Sequence, residues 1–144
     1  MKKELNHLDK KITDFLKKWG VPFLRYSLAI VFIWFGALKT LGASPAQELV
    51  SRTIYWFDPS WFVPVLGIWE VVIGICLLWK PLIRTGILLL AAQMVGTFLP
   101  VIVLPHVVFG ATPYALTLEG QYIVKNIVLI GAAMVIGSHV RDRK

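Results

Sequence analysis

The sequence predicts an all-α integral membrane protein: a four-helix transmembrane bundle with an N-terminal amphipathic interfacial helix and a short external helix between spans one and two. Three observations carry this. Hydrophobic side chains make up 57% of the 144 residues and charged ones only 16%, whereas a soluble domain needs about 25% charge to cover its surface. The apolar residues gather into four blocks of about 20, the length that crosses about 30 Å of hydrocarbon, instead of the short runs of a globular core. Finally, the 15 Lys and Arg that bring the net charge to +7 sit beside those blocks.

Residues 1–20, MKKELNHLDKKITDFLKKWG, set Leu5, Leu8, Ile12, Phe15, Leu16 and Trp19 on one helical face, with lysines and acids on the other. Trp19 and the lysines suit head groups, so this segment is expected to lie on the cytoplasmic membrane surface. Gly20-Val21-Pro22 is expected to break the helix and turn the chain inward. No small-residue cleavage site follows the first apolar block, so it is expected to stay as a span and not leave as a signal peptide. The bundle occupies residues 21–140, with spans at about 23–41, 61–79, 82–104 and 122–140, and residues 141–144 form a basic cytoplasmic tail.

Between spans one and two, Ser44-Pro45-Ala46-Gln47 carries the signals of a helix start, a capping Ser, Pro in the first turn and Gln to complete a capping box. That helix is expected to run to about Phe57, where Asp58-Pro59-Ser60 stops it. Tyr55, Trp56, Phe57, Trp61 and Phe62 have the composition of an interfacial aromatic belt. The third connection, 105–121, is also apolar and is expected to pack over the mouth of the bundle.

Charge counting orients this topology. Lys2, Lys3, Lys10, Lys11, Lys17, Lys18, Arg25, Lys80, Arg84, Arg141, Arg143 and Lys144 fall on the side of both termini, twelve in all, against Lys39, Arg52 and Lys125 on the other, three of the 15. The positive-inside rule then places both termini in the cytoplasm and the protein in the inner or plasma membrane. Basic residues confined to span flanks read as contacts for anionic lipid, and they are not interleaved with stacking aromatics as nucleic-acid binding requires.

Chemistry is sought among polar residues inside spans, because an ionised group at mid-bilayer costs on the order of 3 kcal/mol even on the lenient insertion scale. Glu70 is close to mid-membrane, and Gly67 and Gly74 share its helical face, so it is expected to point at a neighbouring helix. The same reasoning groups Gly36 with Lys39, Gln93 with Gly96, Thr97 and Pro100, and Asn126 with Ala133 and Gly137. The expectation is an outward-opening polar pocket of Lys39, Glu70, Gln93, Lys125 and Asn126, with His106, Thr117, Glu119 and Gln121 near its rim. Read alone, Lys39 lies close enough to the span end to snorkel to head groups. The competing structural role is that Glu70, Gln93 and Asn126 only hold helices together.

Other chemistries find no support. The one cysteine, Cys76, sits in an apolar block and offers neither a disulfide nor a Cys-x-x-Cys pair. His7 and His139 are expected on one side of the membrane and His106 on the other, so no shared metal site is predicted. There is no glycine-rich phosphate loop and no nucleophile elbow. No catalytic residue is identified, and any redox cofactor must be a membrane quinone or belong to a partner.

Arg25-Tyr-Ser-Leu-Ala-Ile-Val-Phe-Ile-Trp-Phe-Gly36-Ala-Leu-Lys39, followed by Glu70-Val-Val-Ile-Gly74, Pro81-Leu-Ile-Arg84 and Lys125-Asn126 ahead of Gly131, resembles the DoxX-like membrane proteins, in particular the YkgB-like branch. The resemblance spans nearly all of residues 23–140 and its motif positions map onto Arg25, Lys39, Glu70, Arg84 and Lys125. It implies a small four-span bundle and, for some members, a redox association, as a membrane subunit of a thiosulfate:quinone oxidoreductase or in resistance to oxidative and reactive-chlorine stress. The paired cysteines of some related quinone-reducing bundles are absent here.

Three functions are therefore carried forward. The first is a quinone- or redox-linked membrane subunit that binds a small polar or anionic head group, working with membrane lipids and a redox partner subunit or a second copy of itself. The second is a transporter or channel for a small solute or lipid, motivated by Pro100 and the span glycines. The third is an accessory scaffold without a ligand. A membrane subunit is favoured over a self-sufficient enzyme.

Overall fold

Backbone embedded in lipid must pair its own N–H and C=O groups, which a helix does within one segment. The computed structural model describes residues 2–112 and 114–140, and these are overwhelmingly helical. In chain order the helices are α1 (Lys2–Thr40), α2 (Gln47–Thr53), α3 (Pro59–Leu78), α4 (Ile83–Val103), α5 (Pro105–Val108), α6 (Leu118–Val124) and α7 (Asn126–Ser138), with a 3₁₀ turn at Lys80–Leu82. Four stretches, Asn6–Thr40, Pro59–Leu78, Lys80–Val103 and Leu118–Ser138, are long and apolar enough to cross a membrane, with mean hydropathy between 1.5 and 2.2. Their outer faces stay apolar: Leu88, Val95, Ile102, Val128 and Met134 are each at least 70% exposed. Such a surface matches hydrocarbon and not water. The chain is built as a membrane helical bundle.

The core lies where α1, α3, α4 and α7 meet, from Leu28, Ala29 and Phe32 through Ile73 and Leu77, Leu90 and Met94, to Ala132, Ala133 and Ile136. Helices α1 and α3 share the largest interface, and glycine is the reason. A Cβ on Gly36 would sit 2.5 Å from the Gly67 carbonyl oxygen and 2.8 Å from the Val71 nitrogen. One on Gly74 would meet the Ala29 carbonyl at 2.7 Å. The two backbones therefore pack in direct contact along an antiparallel seam.

The expected stripes on the other helices are weaker. At Gly96 and Gly131 a Cβ would have no neighbour within 4 Å, and at Gly137 it would meet only Ile87, at 3.4 Å. Gly96 therefore does not line the interior with Gln93; it faces outward.

Several boundaries differ from the sequence expectation. The break at Gly20-Val21-Pro22 is absent: α1 continues through Pro22, so the described part of the expected interfacial segment, residues 2–20, is not a separate helix but the start of the first long one. Pro22 forfeits one N–H, whereas ending the helix there would strand four carbonyls. Helix α2 begins at Gln47, not Ser44, because Ser44 uses its hydroxyl in a turn, accepting from the Ala46 N–H at 3.3 Å. It ends at Thr53 and not Phe57, and Phe57 instead stacks on Phe62 with ring centroids 5.4 Å apart.

Asp58, expected to stop the external helix, starts α3. Its side chain accepts from the Ser60 N–H at 2.9 Å with Pro59 in the first turn, and the Ser60 hydrogen bonds hold the Asp58 carboxyl below its usual value. Span four begins at Leu118, not Tyr122, and is interrupted at Lys125. There the Asn126 side chain donates to the Tyr122 and Ile123 carbonyls at 2.9 and 3.1 Å, competing with the main-chain ladder. The 105–121 connection folds into α5 and an antiparallel bridge between Phe109 and Leu116. The basic tail, 141–144, lies outside the described residues.

Candidate functional site

Glu70 follows Pro59 by eleven residues and precedes Leu78 by eight, which puts it about 17 Å and 12 Å from the two ends of α3, near the middle of the span. It shares the buried face of α3 with Gly67, Ile73 and Gly74. The glycine seam brings α1 against this face, and Lys39 stands about one turn from Glu70 along it. Because Cα–Cβ bonds lean toward a helix N-terminus, Lys39 on the antiparallel α1 leans into the bundle. Its Nζ donates to Glu70 Oε2 at 2.6 Å. Both residues are buried, 9% and 6% exposed.

Lys39 therefore does not snorkel. Reaching the head groups would leave the Glu70 carboxylate uncompensated in a low-dielectric interior, which is the costlier arrangement. The third member comes from α4: Gln93 Nε2 donates to Glu70 Oε1 at 2.5 Å. One turn away, Trp69 Nε1 donates to the Leu89 carbonyl at 3.3 Å and ties α3 to α4. Trp69 was not among the candidates legible in the sequence, although its indole N–H was the available signal.

The orientation of the Gln93 amide is dictated by this contact, since the opposite flip would set two acceptor oxygens against each other. Its own Oε1 is consequently turned away from Glu70, where it is buried and accepts no hydrogen bond from the described residues. A buried acceptor left unfilled is costly, on the order of 1–3 kcal/mol, and it sits beside a Lys–Glu pair whose formal charges cancel. Such a centre can accept a hydrogen bond from a hydroxyl, an N–H or a water at Gln93, and Lys39 can donate to an acceptor that competes with Glu70.

The remaining sequence candidates are elsewhere. Lys125 is exposed, its Nζ 5.1 Å from the Tyr122 ring centroid. Asn126 spends its amide protons on carbonyls of the preceding α6. Thr117 is folded into the connection, donating to the Val107 carbonyl at 2.5 Å while accepting from the Gly120 N–H at 3.1 Å. His106, Glu119 and Gln121 are exposed. The five-residue constellation is thus a compact centre of three, Lys39, Glu70 and Gln93.

One buried charge escaped the reasoning about intramembrane polar groups. Arg25 is only 6% exposed; the charge count had placed it among the basic residues at the span ends, read as contacts for anionic lipid. Among the described residues, no three His, Cys, Asp or Glu side chains lie together in a way that holds a metal ion. Set against known proteins, the chain matches no family model, no curated protein and no solved structure.

Proposed function

We propose that the chain is a redox-linked membrane subunit in which Lys39, Glu70 and Gln93 receive the polar head group of a membrane quinone. The observation that supports this reading best is the unfilled Gln93 oxygen beside the buried ion pair. A quinone offers acceptor carbonyls, which suit the Lys39 ammonium, and its reduced form offers hydroxyl donors, which suit Gln93 Oε1. The apolar bundle suits the isoprenoid body. The resemblance of the Arg25–Lys39 and Glu70–Gly74 blocks to DoxX-like proteins favours the redox assignment. In this reading the twelve-to-three division of Lys and Arg sets both termini in the cytoplasm, and Lys125 and Asn126 serve the outer rim instead of the head group.

The test is to purify the protein from native membranes, extract it and assay for quinone, and in parallel to challenge a deletion strain with oxidant. Quinone retained by wild type and lost with Gln93→Leu supports the proposal, as does failure of Glu70→Gln to restore oxidant tolerance. Protein free of quinone, together with full rescue by Glu70→Gln, overturns it.

A second reading has its own observation. Both Glu70 oxygens are already engaged, by Lys39 and Gln93, which is what a polar clamp in an accessory scaffold requires. A scaffold brings a partner in fixed ratio through mild solubilisation, whereas a head-group site keeps its ligand when purified alone.

A further inference from the structure

Arg25 differs from the other buried charges in having no acid to neutralise it among the described residues. Lys39 and Glu70 answer each other, whereas Arg25 forms no ion pair or hydrogen bond among the described residues, and its Nε is fully enclosed. Its guanidinium carbon lies 4.7 Å from the Tyr26 ring centroid, a contact that steadies the group without supplying an acceptor. Leaving a guanidinium N–H dry and unpaired costs more than leaving a neutral donor so.

The depth of Arg25 follows from the seam. Gly36 is level with Glu70 and Val71, and Gly74 is level with Ala29 and Ile33, so the antiparallel register carries Arg25 just past the Leu78 end of α3. Eleven residues separate Arg25 from Gly36, about 16 Å along the axis. Half the hydrocarbon thickness is about 15 Å. With Glu70 near mid-membrane, Arg25 lies where hydrocarbon gives way to glycerol and phosphate. Lys17, Lys18, Lys80 and Arg84, all exposed, belong to the same end of the bundle, and no acid lies between Asp14 and Glu48 on the chain or between Glu70 and Glu119. The local field attracts anions.

We propose that Arg25 anchors a binding site for a phosphate group, at the end of the bundle where α3 ends and α4 begins. The Nε–H and one Nη–H form the planar edge that meets two oxygens of a single oxoanion; because Nε is enclosed, the guanidinium must turn outward to present that edge. At this depth the phosphate available is that of an anionic lipid, and the surrounding lysines and Arg84 draw the headgroup in. The site is separate from the Lys39–Glu70–Gln93 centre and does not depend on what enters that centre.

The experiment uses the full chain in phosphatidylcholine nanodiscs, with and without phosphatidylglycerol, and separately with inorganic phosphate against chloride at matched ionic strength. Thermal unfolding is followed, and lipid carried through detergent washing is quantified. Phosphatidylglycerol is expected to raise the unfolding midpoint and to be retained by wild type, with retention falling about tenfold in Arg25→Gln and changing little in Arg84→Gln. Stabilisation by inorganic phosphate that Arg25→Gln abolishes supports the same site with a free anion as its occupant. Should Arg25→Gln not fold, Arg25→Lys keeps the charge but not the two-donor edge and is expected to retain less phosphatidylglycerol than wild type. Equal losses in the Arg25 and Arg84 variants would reduce the effect to surface charge and overturn the proposal, as would wild type that neither probe stabilises.

Discussion

At Glu70, two donors from different helices meet one carboxylate, so the cost of changing any of the three depends on what is left behind. Lys39→Met leaves a buried carboxylate, and Glu70→Leu leaves a buried ammonium. Each is expected to destabilise by about 3–5 kcal/mol. The double variant leaves neither charge and is expected to lose far less than the sum. A double-mutant cycle of denaturant unfolding in detergent measures this, and additive losses would mean that the pair is not coupled. Glu70 was legible in the sequence because a carboxylate at mid-span between two glycines has few places to go. The pairing of Lys39 was not, since its distance from the span end suits snorkelling equally well and only the helix register shows which way it leans. Arg25 shows the same ambiguity with the opposite surface expectation: a basic residue at the first turn of a span is ordinarily wet, and its burial depends on tertiary packing.

The α1–α3 seam is the element on which this centre depends. Gly67→Ala would drive a Cβ to 2.5 Å from the Gly36 carbonyl and 2.8 Å from the Thr40 nitrogen, both backbone atoms, so the helices must part and Lys39 must draw back from Glu70. Gly96→Ala meets nothing within 4 Å and removes a residue that weakens helices by roughly 0.5–1 kcal/mol. The expected outcome is a clear loss of thermal stability for Gly67→Ala and an unchanged or raised midpoint for Gly96→Ala. If the two behave alike, the seam has no special role. The spans themselves were legible because twenty apolar residues have one stable form in lipid. Their interruptions were not, because Pro22 signals a break that the cost of stranded carbonyls prevents, while the actual break at Lys125 comes from the side chain of Asn126, a residue that reads as a buried ligand.

The whole molecule is shaped by the 39 residues of α1, about 58 Å of helix against about 30 Å of hydrocarbon. With Arg25 at the phosphate level, the N-terminal half must lie outside the bilayer core, yet Leu8, Ile12, Phe15, Leu16 and Trp19 on one of its faces are all at least 50% exposed. An upright rod would hold that face in water. Laid on the surface, it buries the stripe among acyl chains, at about 25 cal/mol per Å² of apolar area, while Lys10, Lys11, Lys17 and Lys18 meet head groups. Pro22, which withholds one rung of the ladder, is the point where α1 can bend without further loss. In a Cys76→Ser background, single cysteines at Phe15 and at Lys10, on the opposite face, can carry an environment-sensitive dye in phosphatidylcholine–phosphatidylglycerol vesicles. The expected result is blue-shifted emission at position 15 and aqueous emission at position 10. Pro22→Ala, by restoring the missing N–H and stiffening the rod, is expected to move position 15 toward water. Aqueous emission at both positions in the parent would show that α1 stands free of the membrane and that its apolar face is covered by something other than lipid.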